Sequence, residues 1–224
     1  MGGAETKLNS DNWVFNATGE QVGLPYLDVQ NVRIFDARSL VPLAQYADGT
    51  FEKIGYTVHH DVVPFDKLTF KDELERIQAI DTYHRNHNGW PGIGYHRVIA
   101  PSGRVYLVGG SATQRAHIAE LNHLWIGYCL LGDWTNARPP EAQMNALIVA
   151  TQWETNMRGV DMLVAPHKRL INTECPGSWA AKDAWATTVL KPTNQIPLVL
   201  PQASIKQQLV TKLQEAEALA QQLI

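Results

Sequence analysis

The sequence predicts a mixed α/β fold, in which a central mixed β-sheet is flanked by helices and carries an N-terminal extension and a C-terminal helix. Three observations predict it. From residue 51 onward, short β-prone runs alternate with long segments of helical spacing. Residues 94–100 and 104–108 flank Pro101-Ser102-Gly103, the pattern of a hairpin and hence of antiparallel pairing. Strands interleaved with helices in a chain that also holds a hairpin give a mixed sheet with helices packed on it.

Residues 1–50 are polar and turn-rich, with short apolar pieces such as residues 32–35, and read as an extension draped over a core. Residues 54–58 are β-prone and end at His59-His60. Over residues 71–87, Leu74, Ile77, Ile80 or Asp81, and His84 recur three or four apart, predicting a helix that stops at Asn88-Gly89. The hairpin follows, and residues 125–131 form another apolar run of strand length. Pro139-Pro140-Glu141 opens a long helix to about Met157, with Met144, Leu147, Ile148 and Thr151 on one face and Gly159 as its stop. Residues 162–165 read as a short strand before Pro166-His167, and residues 176–190 as a last helix carrying Trp179 and Trp185. Residues 51–190 thus form the predicted domain. Pro192, Pro197 and Pro201 mark residues 191–202 as an extended linker. Residues 203–224 form an amphipathic helix candidate of roughly 33 Å. Its stripe of Ile205, Leu209, Leu213, Ala216, Ala220 and Leu223 suits docking on its own domain, self-association, or a partner or membrane surface.

Composition excludes several classes. The 224 residues, 45% apolar and 18% charged, describe an ordinary globular chain able to bury a core. Nineteen Lys+Arg against twenty-two Asp+Glu give a net charge of -3, which argues against a nucleic-acid partner. A run of about eighteen apolar residues is missing, so no integral membrane segment is expected. The N-terminus lacks the apolar core of a secretory signal, so synthesis in the cytoplasm is expected. Two cysteines, Cys129 and Cys175, are too few for a disulfide framework and leave metal or core roles open.

Three residues stand out as a metal site: His59 at a strand end, then His167 and Cys175, eight residues apart. The sheet holds the first, and the seven-residue loop lets the other two converge. Two imidazoles and a thiolate suit Zn²⁺, and three protein ligands leave a fourth position for water, the mark of a catalytic rather than a structural zinc. Adjacent residues on a strand point to opposite faces, so only one of His59 and His60 can ligate.

The sequence resembles the zinc-dependent N-acetylmuramoyl-L-alanine amidases, the family of the amidase-type phage lysozymes and the peptidoglycan recognition proteins. The likeness begins at Tyr56-Thr57-Val58-His59-His60 and continues through Gly89-Trp90 and Gly94-Tyr95-His96. It runs on through Ala116-His117, Asn122-His123, residues 126–132 and the helix from Pro140-Glu141, then closes on His167 and Thr173-Glu174-Cys175-Pro176-Gly177. About 140 residues are covered, in the family's order. The resemblance implies that His59, His167 and Cys175 hold Zn²⁺, with His60 a packing or supporting residue. It implies that Tyr95 is catalytic, holding the zinc water or donating to the developing oxyanion. Thr173 matches the threonine of the active recognition proteins, where the phage lysozymes have lysine; it adds a hydroxyl without a positive charge. Trp90, His117, Asn122 and His123 are implied to line or support a substrate groove. Cys129 stands where the anhydro-muropeptide amidases have a catalytic glutamate, which places a glutamate base in doubt and leaves Cys129 buried and inert.

The implied reaction is hydrolysis of the bond between N-acetylmuramic acid and L-alanine of the stem peptide, with peptidoglycan or a muropeptide as the partner. The implied setting is a phage endolysin that acts on the cell wall after release. A bacterial muropeptide-recycling amidase and a non-catalytic peptidoglycan-binding module are the alternatives. Retention of Cys175 favours an enzyme over the binding module.

Overall fold

The computed structural model describes residues 13–15, 21–41, 46, 51–181 and 188–193. The expectations for residues 203–224, for the linker beyond residue 193 and for Trp185 lie outside the described residues. In chain order, β1 (Trp13–Phe15) pairs with β2 (Gln21–Gly23) as a separate ribbon. Next come β3 (Tyr26–Val29), β4 (Val32–Asp36), β5 (Gly55–His60), α1 (Phe70–Asn86), β6 (Arg97–Ile99), β7 (Val105–Leu107) and β8 (Trp125–Leu130). The chain continues with α2 (Glu141–Arg158), β9 (Met162–Pro166), a single turn α3 (His167–Leu170), a 3-10 turn (Ser178–Ala181) and β10 (Val189–Leu190).

Eight strands form one sheet in the order β10-β9-β5-β8-β6-β7-β4-β3. Its centre is parallel, with β5 between β9 and β8, and β6 beside β8. The predicted hairpin appears as antiparallel β6–β7. Every residue of β5, β8 and β9 is buried, as parallel strands covered on both faces require. One face packs Tyr56, Val58, Ile126 and Tyr128 against Met144 and Leu147 of α2. The other packs Val98, Cys129 and Leu131 against Leu74, Ile77 and Ile80 of α1.

Both long helices form where their punctuation places them. Thr69 caps α1, its side chain accepting the Asp72 N–H at 3.2 Å. α2 begins after Pro140 and ends at Gly159, whose φ of 70° is the left-handed stop that glycine tolerates. Inside, Glu154 of α2 pairs with Arg97 of β6 at 3.0 Å and accepts the Tyr128 hydroxyl at 2.8 Å.

Two segments differ from expectation. β3 and β4, within the stretch read as an extension, complete the far edge of the sheet. Their turn, Gln30-Asn31, takes positive φ at both residues, as a tight hairpin turn demands. Phe35 and Ile34 are fully buried on opposite faces, so this segment contributes core rather than cover. The last helix does not reach Leu190: Ser178–Ala181 form a 3-10 turn, residues 182–187 lie outside the described residues, and Val189-Leu190 pair with Leu163 and Met162 of β9. At Val189-Leu190, pairing with the open edge of β9 outweighs helical spacing.

Candidate metal centre and active site

β5 and β9 run parallel in a register that sets Val58 beside Pro166. The next residue on each chain is a histidine, so His59 and His167 meet at the carboxyl end of the sheet, with ring centroids 4.2 Å apart. The loop after α3 returns Cys175 to the same point. Its Sγ lies 3.8 Å from His59 Nδ1 and accepts the backbone N–H of His60 at 3.4 Å. The donor atoms of His59, His167 and Cys175 all lie within 4.8 Å of one another. Tetrahedral zinc with bonds of about 2.0–2.3 Å sets its ligand atoms about 3.3–3.8 Å apart, so small side-chain adjustments would close the site. Both ring nitrogens of His167 are buried without a hydrogen-bond partner. An imidazole left in that state is costly unless a further ligand satisfies it. The residues present fit a zinc ion.

The tautomer of His59 follows from its neighbours. His117 Nε2 lies 3.2 Å from the Trp125 carbonyl, which can only accept, so the His117 proton sits on Nε2. His117 Nδ1 then accepts from His59 Nε2 at 3.2 Å, and His59 Nδ1 is left with a bare lone pair toward Cys175. Burial, reinforced by His167 and the other imidazoles, holds His59 well below the usual histidine range. Burial also takes His117 down to about 3, with Lys53 adding to the effect, and His167 down to about 4. The same burial pushes the Cys175 thiol up to about 12, so only a bound cation makes it a thiolate at neutral pH. Gly127 on β8 admits the His117 ring, since a Cβ there would stand 2.8 Å from it.

His60 faces away from this cluster: its Nδ1 accepts the Trp134 N–H at 3.0 Å. Tyr95 places its ring 5.4 Å from His59, and burial raises its phenol well above 10, so it keeps its proton. Thr173 Oγ1 accepts the Cys175 N–H at 3.3 Å and so braces the ligand loop. Cys129 is fully buried in the α1-side core. Beside the cluster opens a cavity of about 620 Å³, lined among others by His60, Asp61, Arg76, His84 and Tyr95.

The four residues expected to line or support the groove pack around the cluster and the cavity wall. His117 is buried behind His59. Asn122 Oδ1 accepts the N–H groups of His117 and Ile118, both at 2.8 Å, and holds that turn. His123 lies edge-on to Phe51 at 6.3 Å, and Trp90 packs on His84 at 4.7 Å. None of the four lines the cavity. Sequence reasoning passed over Asp61 with Arg76, and over Lys53. The buried Lys53 ammonium donates to the Asn122 and Trp125 carbonyls at 3.1 and 3.4 Å, and burial lowers its pKa to about 8. Asp61 carried one signal, its place directly after the His59-His60 pair.

A family model described as N-acetylmuramoyl-L-alanine amidase matches residues 52–178. The chain belongs to this amidase family. It is 29% identical over 124 residues to an N-acetylmuramoyl-L-alanine amidase of Homo sapiens, a match covering 54% of this chain and 22% of that protein. Over 123 residues it is 28% identical to peptidoglycan-recognition protein LB of Drosophila melanogaster, covering 54% of this chain and 53% of that one. The chain therefore spans about half or less of the length of these relatives. The solved wild-type structure of the Drosophila protein shares the fold, with a TM-score of 0.61 at 23% identity over 72% of this chain and 99% of that one. The endolysin amidase LysCS of Clostridium intestinale URNW aligns with a TM-score of 0.50 at 25% identity, covering 60% of this chain and 83% of that one. All three ligand candidates, together with Tyr95 and Thr173, fall inside the residues matched by the amidase family.

Proposed function

We propose that the chain hydrolyses the amide joining N-acetylmuramic acid to the L-alanine of the peptidoglycan stem peptide, with zinc held by His59, His167 and Cys175. One observation carries the reading: three donors of zinc-preferring type converge within 4.8 Å, and one belongs to an imidazole with neither nitrogen otherwise satisfied. Zinc bound there supplies Lewis acidity to the scissile carbonyl and to the attacking water. The protein's own groups set the geometry. His117 and the Trp125 carbonyl hold His59 in the tautomer that offers Nδ1. Tyr95, protonated at neutral pH, offers its hydroxyl to the oxygen that gains negative charge as the carbonyl is attacked. Thr173 positions Cys175 by accepting its backbone N–H.

Membership of the amidase family supports the bond, and the cavity beside Tyr95 supports a peptide-bearing ligand. A fold neighbour, a mutant of the Drosophila recognition protein LB, is solved in complex with tracheal cytotoxin. Likeness to an endolysin amidase supports action on the cell wall in the setting of a phage endolysin. The test is incubation of purified sacculi with the protein as prepared, after chelation, and after zinc is restored. Release of peptide that stops on chelation and returns with zinc is expected. Binding to sacculi without release by the zinc-loaded protein would make the chain a recognition module instead.

A further inference from the structure

A buried cation stands behind the metal-ligand candidates, and the chemistry proposed above does not use it. Lys53 lies two residues ahead of β5, the strand that ends in His59 and His60, and only 3% of it is exposed. A lysine so buried is ordinarily paired with a carboxylate. Among the described residues Lys53 has no such partner. Its Nζ donates to the main-chain carbonyls of Asn122 at 3.1 Å and Trp125 at 3.4 Å, and lies 5.8 Å from the centre of the Phe51 ring. Taking an ammonium out of water for two neutral carbonyls is costly, so the place of those carbonyls matters. Both belong to the segment that carries His117 to the back of His59. Asn122 is held from two sides, its main-chain oxygen by Lys53 and its Oδ1 by the N–H groups of His117 and Ile118, both at 2.8 Å. The Trp125 oxygen receives two donors, Lys53 Nζ and His117 Nε2, the second at 3.2 Å. A backbone bond from the Ile54 N–H to the Leu124 carbonyl, 2.9 Å long, ties the same two segments. One strand thus delivers a ligand at its end and, just ahead of its start, a clamp on the turn that orients that ligand.

We propose that Lys53 is a positioning residue of the metal centre: by drawing the Asn122 and Trp125 carbonyls to the start of β5, it fixes the acceptor that sets the His117 tautomer and thereby keeps His59 Nδ1 bare for the metal. The direction of the relay follows from its donors and acceptors. An ammonium only donates and a carbonyl only accepts, so Lys53 holds the oxygen in place while His117 Nε2–H donates to it. His117 Nδ1 then accepts from His59 Nε2 at 3.2 Å, and the relay ends at the lone pair facing Cys175. Without Lys53 the two carbonyls each lose a donor and the turn loses its side-chain tie to β5, which lets His117 and His59 settle in more than one tautomer. The consequence for zinc rests on the amidase reading; the consequence for the tautomer is a property of the metal-free chain and does not.

The test uses the full chain with isotope-labelled histidine. NMR of the metal-free protein reports which ring nitrogen carries the proton, and competition with a chromophoric chelator gives zinc affinity. Wild type is expected to show one His59 tautomer, with the proton on Nε2. Lys53→Met, which keeps the length of the side chain and removes its donors, should mix the tautomers and weaken zinc binding about tenfold, as loss of an outer hydrogen-bond partner does. In a His117→Ala background the same substitution should change zinc affinity by less than about twofold, since the relay is already broken. Equal losses in the two backgrounds would show that Lys53 supports only the fold, and a single unshifted tautomer in Lys53→Met would overturn the assignment. If Lys53→Met does not fold, wild type still decides. Its Lys53 ammonium hydrogens should exchange slowly with solvent and couple across the hydrogen bonds to the Asn122 and Trp125 carbonyl carbons, and exchange as fast as on an exposed lysine would remove the clamp. A chain that takes up no zinc but whose His59 tautomer still shifts in Lys53→Met would sink the metal reading and leave Lys53 in its role. Zinc-dependent release of peptide with no tautomer shift would do the reverse.

Discussion

His59 reaches the metal site with only one nitrogen to give, because His117 and the Trp125 carbonyl take up the other. Removing that support frees the ring to rotate and leaves a buried N–H without an acceptor. His117→Ala is therefore expected to weaken zinc affinity about 10- to 100-fold, and His117→Gln, whose amide oxygen can still accept, to recover part of the loss. Competition with a chromophoric chelator measures it, and wild-type affinity in the Ala variant would show that the contact does no positioning. Zinc affinity also has a predictable pH dependence. Without metal, burial holds the Cys175 thiol up to about 12, while it takes His167 down to about 4 and His59 well below the usual histidine range, so both imidazoles are neutral near pH 7. Binding near neutral pH thus expels one proton, from the thiol, and affinity should rise about tenfold per pH unit between roughly pH 6 and 8. A flat profile would mean that the thiol is already ionised or does not ligate.

At the level of elements, long periodic segments were legible and short paired ones were not. α1 and α2 show repeated apolar spacing with clear caps, and the β6–β7 hairpin has a Gly-containing turn, so local signals were enough. β3, β4 and β10 are two to five residues long, and their stability comes from partners far away in sequence. No window of residues 24–41 contains β7, which β4 needs. The burial of Phe35 between Tyr26, Phe70 and Tyr106 makes a test of that assignment. Phe35→Ala is expected to lower stability by about 3–5 kcal/mol, as loss of a core aromatic does, although the residue lies outside the 52–178 match. Urea unfolding reads it, and a change below about 1 kcal/mol would return the segment to the role of a loose cover.

Across the whole molecule, the parallel order β9-β5-β8 and the register of β5 with β9 bring residues more than a hundred positions apart to one point. The metal-ligand candidates could be read from motifs because ligation restricts side-chain type and local spacing. The residues around them could not, since a motif does not say whether a histidine faces a groove or the back of another ring. His117 and Asn122 were expected to line or support the groove without a choice between the two for that reason, and Arg76 was passed over because a charged residue on a helix usually marks only a solvated face. Mass spectrometry of a purified muropeptide after exposure to the zinc-loaded protein tests the central claim most directly. The account predicts two products, a lactyl acid on the sugar and a stem peptide with a free L-alanine amine, whose masses sum to the substrate plus one water. Intact muropeptide, or cleavage at a different bond, by protein shown to hold one zinc would contradict it.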